Sequence, residues 1–179
     1  GAVREWPCDL LAMSGGFSPV IHLQSQAGSR PVWDEAAAAM LPGDPAQSEH
    51  SAGACAGARD LHAAAAGGQA AGRAAALAAG FGAAESSLPS VAARDAGTVR
   101  ELWQVPHPSG AQHAPKQFVD FQNDVTAADL HLAVREGYES IEHVKRYTAL
   151  GFGTDQGKTA NINGMGIVAQ AVSRPVAAV

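Results

Sequence analysis

Residues 151–159 read GFGTDQGKT and hold the densest candidate chemistry in the chain. Gly151, Gly153 and Gly157 precede the pair Lys158 and Thr159. A phosphate-binding P-loop needs four residues between its first glycine and the Gly-Lys pair. Gly153 leaves three and Gly151 leaves five, so the spacing refuses that motif. A looser chemistry stays open. The backbone N–H groups of a glycine loop, with a lysine ammonium and a threonine hydroxyl, can cradle a phosphate or another anion. On that reading Gly153, Thr154, Asp155, Gln156, Gly157, Lys158 and Thr159 are candidate cofactor-binding residues. A helix end followed by a turn explains the same residues without a ligand. A weaker candidate is Gly15 and Gly16, which close the apolar run 8–14. Backbone at the carboxyl end of a parallel strand can approach a ligand closely. The run is not GxGxxG, and a strand-ending turn is its commoner meaning.

Other chemistry is thin. The seven histidines show no metal spacing, and there is no HExxH. Glu142 and His143 read as a surface pair. Asp120, Asp124, Asp129 and Asp155 can be read as paired carboxylates for acid–base work. Asp124 and Asp129 fit better as acids at a helix start. No Ser-His-Asp or Cys-His set is visible, so no catalytic residue is assigned. Cys8 and Cys55 make neither a disulfide framework nor a metal set. Reduced cysteines, no signal peptide and no long apolar run give a cytoplasmic expectation. A net charge of -5 argues against binding to a nucleic-acid backbone. The first residue is Gly1, which hints at a piece of something longer.

The elements that must position these residues are built from small side chains. Charged residues are 16%, aromatics are 6%, and alanine is roughly a fifth of the 179 residues. The run 8–14 is expected as a buried strand. Residues 20–23 fit a short strand or the turn into a helix. Residues 33–41, WDEAAAAML, are expected as a short helix with Asp34 and Glu35 in its first turn. Residues 53–84 are expected as an alanine-glycine helix region, poor in isolation because glycine costs about 1 kcal/mol per interior position. Residues 86–117 read as a linker with 99–105 extended. Thr126 and Asp129 make a capping-box-like start for a helix at 127–135, with Leu130, Ala133 and Val134 on one face. Gly137 suits its end. Ser140 then caps a second helix that turns Ile141, Val144 and Leu150 one way. The tail 167–179 offers no cap or period.

The stretch FVDFQNDVTAADLHLAVREGYESIEHVKRYTALGFGTDQGKTANING, residues 118–164, resembles the central region of alpha subunits of heterotetrameric sarcosine oxidases. DFQNDVT, REGYESIEHVKRYT and DQGKTAN carry the likeness. CDLLAMSGGFSPVIHLQSQAG and AGACAGARDLHAAAAGGQAAG resemble the last strand and closing helix of the family's pyridine nucleotide-disulfide oxidoreductase-like domain. The resemblance implies an α/β fragment at 1–85, a linker at 86–117, a small mostly helical domain at 118–165, and a linker at 166–179 toward an absent aminomethyltransferase-like domain. It also implies beta, gamma and delta partner subunits. FAD and the amine-oxidising site belong to beta, FMN to the alpha–beta interface, NAD to alpha, and tetrahydrofolate to the absent domain. The implied reaction demethylates sarcosine to glycine, forms hydrogen peroxide, and passes the one-carbon unit to tetrahydrofolate. A related amine or opine oxidase subunit and a stand-alone, non-catalytic interaction module are the alternatives.

Residues 118–160 are also similar to bacterioferritin-associated ferredoxin-type [2Fe–2S] domains. That resemblance places Asp120 and Gln122 where the first cysteine pair stands, and Asp155 and Ala160 where the second stands. Cluster binding needs thiolates, so no iron–sulfur cluster is expected. Lys158 and Thr159 beside the emptied loop become candidates for anion or flavin-phosphate contact. One departure matters in the first half: Ala52, Gly53, Ala54 and Cys55 stand where such flavoprotein domains carry a Gly-Asp pair. That disfavours FAD on this segment.

Overall fold

A computed structural model describes residues 4–12, 16–82, 87–88, 90–92, 97–110 and 113–179. The fold is mostly helical, with two small antiparallel sheets. The first half begins with α1 (His22–Gln26), followed by β1 (Val32–Asp34) and β2 (Ala39–Leu41). Two buried polar side chains organise it. Gln24 donates from Nε2 to the Gly43 carbonyl at 2.7 Å and accepts from the Ser51 hydroxyl at 2.8 Å. Ser29 accepts from the Ala46 N–H and donates to Glu49, both at 2.9 Å. These bonds satisfy groups that burial would otherwise penalise.

Residues 33–41 are a hairpin, which corrects the expected helix. Trp33 pairs with Met40 and Asp34 with Ala39. The segment is too short to overcome helix nucleation by itself. Asp34 settles the matter by accepting the Ala37 N–H at 2.7 Å, an Asx-type turn, and Ala38 takes φ 47°. The expected strand at 8–14 is also corrected. Residues 8–12 form no strand, and Met13, Ser14 and Gly15 lie outside the described residues. A strand needs a neighbouring edge for its backbone groups, and both described sheets are two-stranded and built from other residues. Residues 20–23 resolve as the entry to α1.

The alanine-glycine stretch does form a helix, α2 (Leu61–Ala78). Asp60 caps it by accepting the Ala63 N–H at 2.8 Å. Gly80, at φ +81°, closes it. None of its residues is buried, so the helix stands on capping and alanine propensity. Part of the expected extension to residue 84 lies outside the described residues. No described helix is long and apolar enough to cross a membrane.

The second half holds the main core. β3 (Phe118–Asp120) pairs with β4 (Val125–Thr126), which runs straight into α3 (Ala127–Arg135). Thr126 and Asp129 form the expected capping box. Leu130 and Ala133 are fully buried, as the helical period demands. Gly137, at φ +100°, ends the helix. α4 (Ile141–Thr148) buries Ile141 and Val144 and is followed by fully buried Leu150. Ser140 holds the N-cap position, but its hydroxyl makes no capping bond. α5 (Asn161–Val172) crosses the expected domain edge at 165 and supplies Ile167 and Val168 to the core. Gly164 lets α5 approach Leu150; a Cβ there would fall 2.4 Å from Leu150 Cδ2. Residues 99–105 form no strand. Trp103 instead packs onto the helical core.

Candidate functional site

The glycine loop lies between α4 and α5 and is fastened from beneath. Asp120, at the end of β3, is 2% exposed. Its carboxylate accepts the Gly151 N–H at 2.7 Å, the Gln122 N–H at 2.8 Å and the Asn123 N–H at 3.1 Å. Gln122 Oε1 accepts both the Thr154 N–H and the Thr154 hydroxyl, the latter at 2.8 Å. Asn123 donates to the Ala149 carbonyl at 3.1 Å. The side chains of Asp120, Gln122 and Asn123 therefore bind the start of the loop to the turn after β3. Asp120 and Gln122 are the two residues matched above to the first cysteine pair.

The loop is then closed from within. Asp155 accepts the Gly157 N–H at 3.0 Å, the Thr159 N–H at 3.2 Å and the Thr159 hydroxyl at 2.6 Å. Gln156, Lys158 and Ala160 donate their N–H groups to Gly153, Asp155 and Gly157 carbonyls. The side-chain amide of Asn161 fills the centre. A Cβ on Gly151 would fall 2.1 Å from Asn161 Oδ1, and one on Gly157 2.3 Å from Asn161 Nδ2. Both glycines also have positive φ, near +73° and +74°. Glycine is thus required twice over, by conformation and by space.

The electrostatics follow this wiring. Burial pushes the Asp120 carboxyl up, but the hydrogen bonds from Gly151, Gln122 and Asn123 outweigh it and hold the group below the ordinary aspartate range. Asp155 is also lowered, chiefly by the Thr159 hydroxyl and then by the Gly157 N–H. Burial lowers His131, whose Nε2 lies 3.0 Å from Gln104 Oε1.

This geometry narrows the anion-cradle expectation. The N–H groups of Thr154, Gln156, Gly157, Lys158 and Thr159 already have acceptors within the protein. The Thr159 hydroxyl is held by Asp155, whose negative charge would oppose an anion there. The exposed Lys158 is the remaining cationic group of the loop. Gly153 is packed on Gln122, with a Cβ position 2.3 Å from Oε1. Gly15 lies outside the described residues. Gly16, at φ +83°, has nothing among the described residues within 4 Å of its Cβ position. Glu142 and His143 are exposed on α4, as a surface pair would be. Asp129 is a capping acid. No group of histidine, cysteine or acidic residues among the described residues is placed to hold a metal ion. The loop lacks cysteines, so it does not fit an iron–sulfur cluster. Asn161 was not apparent from sequence. The signal for it was two glycines six residues apart, followed by an amide four residues on.

Gly157→Ala is expected to destabilise the protein by about 2 kcal/mol, from left-handed strain and collision with Asn161. In an Asn161→Ala background the collision is relieved and only the backbone strain remains. Urea midpoints of the four proteins in this cycle measure the difference.

Residues 114–179 match the family model described as the sarcosine oxidase A3 domain. The sarcosine oxidase subunit alpha of Corynebacterium sp. (strain U-96) is 42% identical over 171 residues, covering 94% of this chain and 18% of that protein. The subunit alpha of Corynebacterium sp. (strain P-1) is 40% identical over the same coverage. That of Rhizobium meliloti (strain 1021) is 42% identical over 175 residues, 96% of this chain and 17% of that protein. The chain therefore spans under a fifth of the length of these relatives. Its 114–179 region is thus similar to the sarcosine oxidase A3 domain, within a chain that matches one segment of sarcosine oxidase alpha subunits.

Proposed function

We propose that the chain serves as a non-catalytic, cofactor-supporting part of the alpha subunit of a multi-subunit sarcosine oxidase. The carrying observation is the continuous match, at 40–42% identity over nearly the whole chain, to proteins bearing that name. The complete enzyme in this reading oxidatively demethylates sarcosine to glycine, yields hydrogen peroxide, and passes the one-carbon unit to tetrahydrofolate. Beta, gamma and delta subunits complete it, with FAD on beta, FMN between alpha and beta, and NAD on alpha.

Within that assembly the 118–172 region acts as a ferredoxin-type scaffold that has exchanged its cluster for hydrogen bonds. Asp120 and Gln122 support this reading, because they now tie the loop that a cluster would otherwise tie. The loop amides do not fit a phosphate cradle. Lys158 is the cationic loop group left to meet a flavin or nucleotide phosphate, through charge.

The test is an oxygen-electrode assay on the assembled complex with sarcosine. Uptake with stoichiometric peroxide is expected. Inactivity toward sarcosine, alongside oxidation of another secondary amine, would reassign the substrate. A Lys158→Ala complex is expected to lose FMN several-fold more readily on dialysis than the parent. Unchanged FMN occupancy would remove Lys158 from the account.

A further inference from the structure

The two halves of the chain meet at an aromatic contact. On the helical side, Trp103 lies directly on the backbone of α5 at Gly166. A Cβ on Gly166 would fall 2.1 Å from Trp103 Cδ2, so only glycine admits the ring. Polar ties hold the neighbouring chain in place. Gln104 is 3.0 Å from His131 of α3, and the Gln117 side chain bonds both backbone groups of Val105, at 2.8 and 3.0 Å. The outer side of Trp103 meets Trp33 of β1, with ring centroids 6.3 Å apart and planes at 49°. β1 also touches the turn Val176–Ala178 that follows α5.

The hairpin side of this contact carries a defect. Trp33 Nε1 is buried and has no hydrogen-bond acceptor among the described residues. A buried donor without a partner favours any state in which water reaches it. Among the described residues, neither Trp103 nor Gly166 carries a buried side-chain polar atom without a partner.

We propose that the contact between Trp33 and Trp103 is a conformational joint between the N-terminal hairpin and the helical unit. Opening separates the two rings and hydrates the Trp33 N–H. Trp103 stays seated on α5 throughout. The hairpin can then change its angle to the helical unit without disturbing the glycine loop.

Amide hydrogen exchange on the full chain tests this. Residues 32–41 are expected to exchange together, and faster than α3 and α5. Trp33→Phe keeps a ring and removes the unpaired N–H, so exchange across 32–41 is expected to slow several-fold. Trp33→Ala is expected to raise it by roughly an order of magnitude while α3 stays unchanged. Unchanged or faster exchange of 32–41 in Trp33→Phe would overturn the proposal. So would a Trp33→Ala protein in which α3 and α5 exchange rises as much as that of the hairpin.

Discussion

Asp120→Ala is expected to lower the unfolding free energy by about 3 kcal/mol, because hydrogen bonds to a charged group are lost and a buried amide is stranded. Asp120 is 2% exposed, and the Gly151 N–H it accepts is buried with it. Water cannot replace the carboxylate without the loop opening. Asp120→Asn keeps an acceptor oxygen and loses the charge, so roughly half of that loss is expected. The urea midpoint measures both, and should fall by more than about 1 M for the alanine variant if the slope is near 2 kcal/mol/M.

The same carboxylate predicts a pH dependence. Its folded-state pKa lies below its unfolded value. The stabilisation is therefore complete above roughly pH 4–5 and is lost as pH falls through the depressed folded value. The stability gap between the parent and Asp120→Asn is expected to shrink as the pH falls below about 4. A gap that widens over that fall would show that the carboxylate is not held in its charged form.

Leu150→Ala is the second large effect, at about 3 kcal/mol within a range of roughly 2–5. Leu150 is fully buried at the junction of α4, the glycine loop and α5. Its Cδ2 lies where a side chain on Gly164 would go. Gly164→Ala alone overpacks this spot and is expected to cost about 1–3 kcal/mol. The two changes are complementary. Adding Gly164→Ala to Leu150→Ala fills part of the cavity, so the double variant should be more stable than the sum of the single losses predicts. Additive losses in thermal or urea unfolding would show that the two sites do not share one space.

These packing relations explain what was legible in sequence. α3 was readable to the residue, because Thr126, Asp129 and Gly137 mark its ends and Leu130 and Ala133 keep its period. α4 was readable from Ile141 and Val144. α5 was not. Its exposed residues are only Asn163 and Gln170, seven apart, too narrow a polar stripe to mark a period, and Gly164 and Gly166 depress its helix propensity. Those glycines are there for Leu150 and Trp103, which no local pattern reveals. The hairpin at 32–41 was hidden for a related reason. Alanine favours helix, but a single Asp34 side chain and cross-strand pairing decide a segment this short. The run 8–14 reads as a buried strand from its apolar content, its length and its glycine stop, yet Leu10 and Leu11 are exposed.

The candidate site was half legible. The glycine loop was located correctly as a distinctive feature, and Asp120 and Gln122 were marked by their place in a resemblance. What spacing cannot show is the direction of the hydrogen bonds. The same glycines that would open a loop to a phosphate here make room for Asn161. The amides that would greet an anion point instead at Asp120, Gln122 and Asp155.

Residue-level amide NMR of the full chain during titration with inorganic phosphate decides whether the loop amides are held by the protein or open to an anion. The Gly151, Thr154, Gly157 and Thr159 amides are expected to exchange slowly and to keep their chemical shifts. Saturable phosphate-dependent shifts of these amides would contradict a loop held by the protein, and would restore it as an anion-binding site.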